Sequence, residues 1–164
     1  MKTITISRQY GSGGKTIGYM LAEKLGIPCY SREILQRASE ESGINESMFN
    51  ARDERLKRLP KFLLSTNVYS GELLPPESKE FTSDQNLFNY EAEIIKKYAA
   101  EGSCVLIGRC ADFVLKDDPD MISVYVHADH DFQMKSALER VSMSEKEMEK
   151  SIERANKYRS DFYH

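Results

Sequence analysis

The sequence lacks any apolar run close to the roughly 20 residues that a helix needs to span a bilayer. A β-branched stretch begins at Thr3, which leaves no room for a signal peptide after Met1. The three cysteines show neither an even disulfide framework nor a metal-ligand spacing, and Cys29 and Cys104 lie in or beside apolar runs, as buried reduced thiols do. From these absences we predict a soluble cytoplasmic protein that does not act at a membrane.

An excess of basic residues is also missing. The formal net charge is −3 with 30% charged residues, which argues against nucleic acid as the main partner. The three histidines have no Asp or Cys support at metal-ligand spacing, and the sequence supports no Ser/His/Asp or Cys/His arrangement for nucleophilic catalysis. The 164 residues suit a single domain, 1–164, large enough to bury a core without a disulfide or a metal.

A glycine-rich loop follows the first predicted strand and opens a helix: Gly11, Ser12, Gly13, Gly14, Lys15 and Thr16. Glycines let successive N–H groups turn toward an anion, and the helix start adds partial positive charge. Lys15 can reach the terminal phosphates of a nucleoside triphosphate, and the Thr16 hydroxyl can ligate the accompanying Mg²⁺. The loop therefore predicts ATP and Mg²⁺ as cofactors.

The match to the phosphate-loop pattern is imperfect, because Gln9 stands at its leading glycine. The dinucleotide fingerprint fits less well, since its third glycine position holds Thr16 and the ribose position holds Ser31. The alternative interpretation is a glycine-rich turn with an exposed lysine.

Alternating patterns along the chain predict an α/β protein with a parallel sheet flanked by helices. Ile17, Met20, Leu21 and Leu25 recur at helical spacing in the first helix, and Ser31 is expected to cap the second. The predicted strands are 3–6, 27–30, 104–107 and 124–126; the predicted helices are 15–25, 32–42, 45–58, 86–100, 131–140 and one or two within 144–163, with an irregular stretch at 59–84.

Three predicted strand ends carry an arginine within two residues: Arg8, Arg32 and Arg109. Ligands of open α/β sheets bind at the carboxyl ends of the strands, and the guanidinium fork suits phosphate. These residues predict an acceptor pocket. The alternative is that Arg32 and Arg37 lie on a solvated helix face, which is the favoured interpretation for Arg32 alone. Arg154, Lys157 and Arg159 in the last helix indicate either a lid that closes over phosphates or an ordinary basic helix end.

Four stretches together resemble the cytidylate kinase-like family of nucleoside monophosphate kinases: residues 6–14, 21–28, 107–112 and 157–163. The resemblance covers essentially the whole chain. It implies a three-layer P-loop kinase fold with an acceptor-side arm at 45–85 and a helical lid at 141–164. It also implies ATP-dependent phosphoryl transfer to a nucleoside monophosphate, CMP or dCMP, with small-molecule nucleotides as partners.

By the same resemblance, residues 11–16 hold the ATP phosphates, and Lys15, Arg109, Lys157 and Arg159 are catalytic. Ser31, Arg37, Arg109 and Asp112 would bind the acceptor, with Thr16 on the metal. The chain departs from the family at Ser31 and Asn156, where carboxylates are common, and it stops at His164 where another edge strand is expected. The alternatives are a nucleotide-binding regulatory module without catalysis and a kinase of another small metabolite.

Overall fold

A computed structural model describes residues 1–56 and 71–161 of the chain. The predicted irregular stretch 59–84 is therefore described only from residue 71, and the end of the lid motif, residues 162–164, lies outside the described residues.

Within these residues the strands form one parallel sheet in the order β2-β3-β1-β4. Ile4 lies opposite Val105 of β3 on one side and Ile122 of β4 on the other. The predicted parallel sheet is confirmed, and β4 begins three residues before the predicted Val124. The strands are β1 (Thr3–Arg8), β2 (Cys29–Tyr30), β3 (Cys104–Ile107) and β4 (Met121–Val126).

Helices cover both faces of this sheet, which confirms the predicted three-layer arrangement. Alternate residues of β3 explain why, since Cys104 and Leu106 pack with α2 and α4 whereas Val105 and Ile107 pack against α1. The helices are α1 (Gly14–Leu25), α2 (Glu33–Ser42), α3 (Glu46–Leu56), α4 (Asp84–Glu101), α5 (Ala111–Val114), α6 (His130–Leu138) and α7 (Glu145–Asp161). None of these described helices is long and apolar enough to cross a membrane.

The apolar pattern of α1 does not mark its buried face. Ile17, Met20 and Leu25 are exposed, and the residues that α1 buries are Gly14, Gly18 and Ala22. A Cβ on Gly18 would lie 2.6 Å from Cδ1 of Ile107, so α1 contacts the sheet through small residues. This close approach brings the N-terminus of α1 directly over the carboxyl ends of β1 and β3.

The start of α2 also differs from prediction. The helix begins at Glu33 after Arg32, without a side-chain cap. Ser31 does not cap it; instead its backbone N–H donates to Oε2 of Glu33 at 2.8 Å. The Glu33 carboxylate therefore accepts the hydrogen bond of the backbone N–H group of Ser31 at this turn.

The segment after residue 70 is held against α4 by two buried asparagines. Asn86 accepts from the N–H of Leu74 at 2.9 Å and donates to the carbonyl of Phe81 at 2.7 Å, while Asn89 donates to the carbonyl of Glu72 at 2.6 Å. Side-chain amides thus replace regular backbone pairing for residues 71–83, which explains the absence of a periodic sequence pattern there.

Candidate active site

A cavity of about 690 Å³ opens at the carboxyl ends of β1, β2 and β3. Tyr10 lines it, and the glycine-rich loop begins at the next residue. The cavity brings together the three strand-end arginines predicted to meet there and adds three from α3 and α7. The six lining arginines are Arg8, Arg32, Arg52, Arg109, Arg154 and Arg159.

The glycine-rich loop has a backbone that suits an anion. Gly11 and Gly13 adopt left-handed conformations at φ 73° and 80°, and α1 begins at Gly14 without a side-chain cap. A Cβ on Gly13 would meet no atom within 4 Å, so the space above this turn is open. A concave turn followed by an uncapped helix start fits the phosphates of a nucleotide.

Lys15 and Thr16, which the sequence places on those phosphates, lie exposed in the first turn of α1. The ammonium group of Lys15 lies 5.7 Å from the ring centre of Tyr19. Both side chains sit on the α1 side of the loop, outside the set of described residues that line the arginine-rich cavity. The loop therefore separates two regions, one beside Lys15 and one containing the arginines.

The inner wall of the cavity carries a buried charge cluster of Arg52, Asp53, Glu91 and Arg109. Nη1 of Arg52 lies 3.3 Å from Oε1 of Glu91, whose side chain is 1% exposed. Nη1 of Arg109 pairs with Asp53 and lies 3.8 Å from Oε2 of Glu91. The cluster contains two cations and two carboxylates, so this wall is close to neutral and its arginines are held in fixed directions.

Burial has opposite effects on two members of this cluster. It raises the pKa of the Glu91 carboxyl, and Arg52 and Arg109 oppose that rise. Burial lowers the pKa of Arg109, but the nearby Glu91 and Asp53 outweigh it and leave the pKa raised. Arg109 therefore stays cationic at every pH of interest.

Arg52 retains one polar group without a partner: its Nε is buried and makes no hydrogen bond to any described residue. Its guanidinium carbon lies 5.1 Å from the ring centre of Phe88. Because an unpaired buried N–H is costly, this group offsets part of the stabilisation that the Arg52 side chain gains from its ion pairs.

Arg109 lies in a sharp turn that follows β3. Gly108, Arg109 and Cys110 are consecutive left-handed residues, at φ 73°, 57° and 54°. A Cβ on Gly108 would lie 1.9 Å from Nη1 of Arg8, so the guanidinium of Arg8 rests against this glycine. The turn thus sets the directions of two cavity arginines at once.

The structure distributes the other predicted acceptor residues unevenly. Ser31 lines the cavity. Asp112 accepts a hydrogen bond from the Ser7 hydroxyl at 3.3 Å, beneath the cavity rim. Arg37 lies elsewhere, on the outer surface of α2, where it pairs with Glu41 at 3.1 Å and Glu101 at 2.6 Å.

The predicted lid residues are likewise separated. Arg154 and Arg159 line the cavity, and Nη1 of Arg159 donates to the carbonyl of Arg8 at 2.9 Å. Lys157 is exposed, and the described cavity wall does not include it. The burial of Tyr158 beside the cavity raises the pKa of its hydroxyl.

Sequence reasoning missed Arg52, Asp53 and Glu91. Glu91 carried a usable signal, because it stands four residues after Leu87 and four before Ile95 on the buried face of α4. A charged residue inside an apolar helical stripe requires a buried partner. Arg52 and Asp53 carried no such signal, since they begin a run of four charged residues, 52–55, as on a solvated helix face.

Comparison with known proteins found a matching family model and similar solved structures. A model of the cytidylate kinase-like family matches residues 3–164. A crystal structure of an uncharacterized protein from Eubacterium ventriosum ATCC 27560 is similar at 27% identity with a TM-score of 0.64, covering 97% of this chain and 73% of that one. The crystal structure of TT1252 from Thermus thermophilus matches at 18% identity with a TM-score of 0.47, covering 94% and 85% of the two chains.

No curated protein matches the sequence significantly. The family match extends over nearly the whole chain and includes both the glycine-rich loop and the arginines of the cavity. The chain belongs to the cytidylate kinase-like family.

Proposed function

We propose that this protein transfers the γ-phosphoryl group of ATP to a nucleoside monophosphate, with CMP or dCMP as the acceptor. The observation that carries the proposal is the position of the arginine-lined cavity, which begins at Tyr10, one residue before the glycine-rich loop. Two anionic substrates could therefore meet across the loop. An intracellular nucleotide pool supplies both, so the proposal includes a cytoplasmic location.

The donor half consists of residues 11–16. The backbone of Gly11 to Gly14 would hold the ATP phosphates, Lys15 would reach toward the transferring group, and the Thr16 hydroxyl would hold Mg²⁺. When bound, the metal ion neutralises charge on the phosphates. The left-handed glycines and the uncapped start of α1 support this assignment.

The acceptor half is the cavity itself. Arg8 and Arg159 lie near Tyr10 at the start of the loop, and Arg109 lies in the inner wall. Each planar fork suits two of the three non-bridging oxygens of a monophosphate. Asp53 and Glu91 keep the inner wall from being purely cationic, so the wall can accept a polar, uncharged base. Lys157 would join this half only if α7 moves, and Arg37 would remain on the outer surface.

The chemistry asks little of the protein beyond placement and charge. A phosphate oxygen of the acceptor attacks the γ-phosphorus, the bond from that phosphorus to the β,γ-bridging oxygen breaks, and ADP leaves with the bonding electrons. An already ionised acceptor phosphate needs no general base. Cationic side chains held in fixed directions lower the barrier by positioning the substrates and neutralising charge.

An acceptor screen tests the proposal. ADP release is measured with ATP and Mg²⁺ across CMP, dCMP, UMP, AMP and unphosphorylated metabolites, and CMP or dCMP should give the highest kcat/KM. Lys15→Ala should lower turnover by about 10²-fold, whereas Lys24→Ala, at the exposed far end of the same helix, should leave it unchanged.

Two other results would contradict the proposed activity, and each would identify a different function. Saturable ATP binding by calorimetry with no acceptor-dependent ADP release identifies a nucleotide-binding module. Release that depends on an unphosphorylated metabolite identifies a kinase of another acceptor class.

A further inference from the structure

The start of the glycine-rich loop is held by side chains from two distant helices. Oδ1 of Asn156 in α7 accepts a hydrogen bond from the backbone N–H of Tyr10 at 2.7 Å. Nδ2 of Asn156 donates to Oε1 of Gln133 in α6 at 2.9 Å. Nε2 of Gln133 in turn donates to Oε1 of Gln9 at 3.1 Å. We call Gln9, Gln133 and Asn156 the carboxamide bridge.

In the bridge, Gln133 and Asn156 each use both the oxygen and the nitrogen of their side-chain amide. Nε2 of Gln133 also donates to the carbonyl of Ala128 at 2.7 Å, and the N–H of Ala128 donates to Oε1 of Gln9 at 3.2 Å. Both N–H groups of Gln133 and its oxygen are therefore committed. Asn156 must accept on one side and donate on the other, which an ionised carboxylate cannot do.

Gln133 touches the loop through its backbone as well. It is 5% exposed, and a Cβ added to Gly11 would lie 2.5 Å from its carbonyl oxygen. Gly13, two residues along the same loop, would accept a Cβ without meeting any atom within 4 Å. The first turn of the loop thus rests on α6, while the second faces open space.

We propose that Asn156 and Gln133 are positioning residues that preorganise the phosphate loop for the donor nucleotide. This rests on the proposed function, in which Gly11 to Gly14 hold the ATP phosphates. A loop fixed before binding loses less conformational entropy when the nucleotide arrives, so the bridge acts on donor affinity. Gln9, Gln133 and Asn156 are not among the described residues that line the arginine-rich cavity, so we expect the bridge to leave acceptor affinity unchanged.

The bridge also accounts for the asparagine at position 156. Tyr10 requires only an acceptor, which aspartate would supply equally well. Both N–H groups of the Gln133 amide already serve Gln9 and Ala128, so its oxygen is the atom that faces residue 156. That oxygen requires a hydrogen-bond donor. The carboxamide at 156 is matched to the glutamine at 133, and the pair functions as one unit.

The test separates the two links of Asn156. Asn156→Asp keeps the acceptor for Tyr10 but removes the donor to Gln133, whereas Asn156→Leu removes both. Asn156→Asp should raise the KM for ATP by about tenfold, which corresponds to the loss of one net hydrogen bond. Asn156→Leu loses both hydrogen bonds and should raise this KM further. KM for the acceptor should stay at the wild-type value in both variants. Glu153→Gln, the reverse exchange at an exposed position of the same helix, should change neither constant.

A second measurement reads the bridge without catalysis. Amide hydrogen exchange of the ligand-free protein should show faster exchange at Tyr10 in Asn156→Leu than in wild type, because that N–H has lost its acceptor. This result stands even if the wild type releases no ADP, so failure of the proposed kinase activity is distinguishable from failure of the bridge.

Coupling between the two helices is checked by a double-mutant cycle. Gln133→Ala and Asn156→Leu together should raise the Kd for ATP by less than the product of their separate effects, since each alone breaks the same chain. Equal increases in the KM of both substrates, a lower melting temperature with unchanged KM values, or unchanged exchange at Tyr10 would each overturn the proposal.

Discussion

Arg109 and Asp53 form an ion pair across 56 residues of the chain, joining the turn after β3 to α3 at the cavity wall. The pair fixes the guanidinium of a residue that lines the cavity. Arg37, in contrast, is paired with Glu41 and Glu101 on the surface of α2. Two arginines with the same predicted role thus occupy different environments.

This difference predicts different functional effects. Arg109→Gln should lower kcat/KM for the acceptor by about 10²-fold, the scale of losing one preorganised electrostatic contact. Arg37→Gln should leave kcat/KM close to wild type, because its guanidinium points away from the cavity. Steady-state ADP release with varied acceptor measures both. A large loss of kcat/KM in Arg37→Gln would contradict this prediction and assign Arg37 a role in acceptor binding.

The buried pair of Arg52 and Glu91 predicts non-additive stability. Arg52→Met should lower the free energy of unfolding by about 3–5 kcal/mol, because it leaves a buried carboxylate with a weaker partner. The double variant Arg52→Met/Glu91→Leu should lose less than either single variant, since neither charge is then stranded. Urea unfolding of the three variants measures this. A double loss equal to the sum of the singles would contradict it.

Gly108 has a left-handed backbone and also contacts Arg8 of the cavity. Gly43 has the same backbone conformation without that contact, so it serves as the control. Both have φ of 73°, but only a Cβ on Gly108 would strike the Arg8 guanidinium. Each alanine variant should lose about 1–2 kcal/mol of stability for the left-handed conformation. Only Gly108→Ala should also lose ADP release, because it displaces Arg8 from the cavity. Matched activity losses in the two variants would instead assign the effect to stability.

Glu41 predicts a pH dependence of stability. Hydrogen bonding to Lys97, and then to Arg37, lowers the pKa of the Glu41 carboxyl below its ordinary value of 4.5. A carboxyl with a depressed pKa in the folded state stabilises the protein above its unfolded pKa, and that stabilisation is lost as the pH falls through the folded value. Glu41→Gln should therefore have a lower melting temperature than wild type at pH 7, with the difference shrinking below pH 4.5.

Thermal unfolding between pH 7 and pH 3 measures this difference. Because Glu41 is a partly exposed residue, added salt should reduce the effect at pH 7. A difference that persists unchanged at acid pH would show that Glu41 acts through packing and not through its charge.

Local patterns in the sequence were sufficient to predict the burial of β3 and of one face of α4. Four consecutive apolar residues predicted β3 as a strand buried on both faces, and the structure confirms it. The apolar spacing of α4 likewise placed Leu87, Ile94 and Ile95 inward, where all three are buried. The apolar spacing of α1 predicted a helix over 15–25, which the structure confirms as Gly14–Leu25, but glycine and alanine pack that helix against the sheet and leave Ile17, Met20 and Leu25 exposed.

The sequence by itself determined the parallel α/β layers, the glycine-rich turn and the arginines at the strand ends, because periodicity, glycine and strand ends are local features. Only the tertiary structure decided which charges meet. Arg52 and Asp53 come from α3 and Glu91 from α4, and Asn156 reaches the loop across 146 residues of chain. Such pairings depend on how helices pack over the sheet, and the net stabilisation of a charge or an amide depends on the partner it finds there.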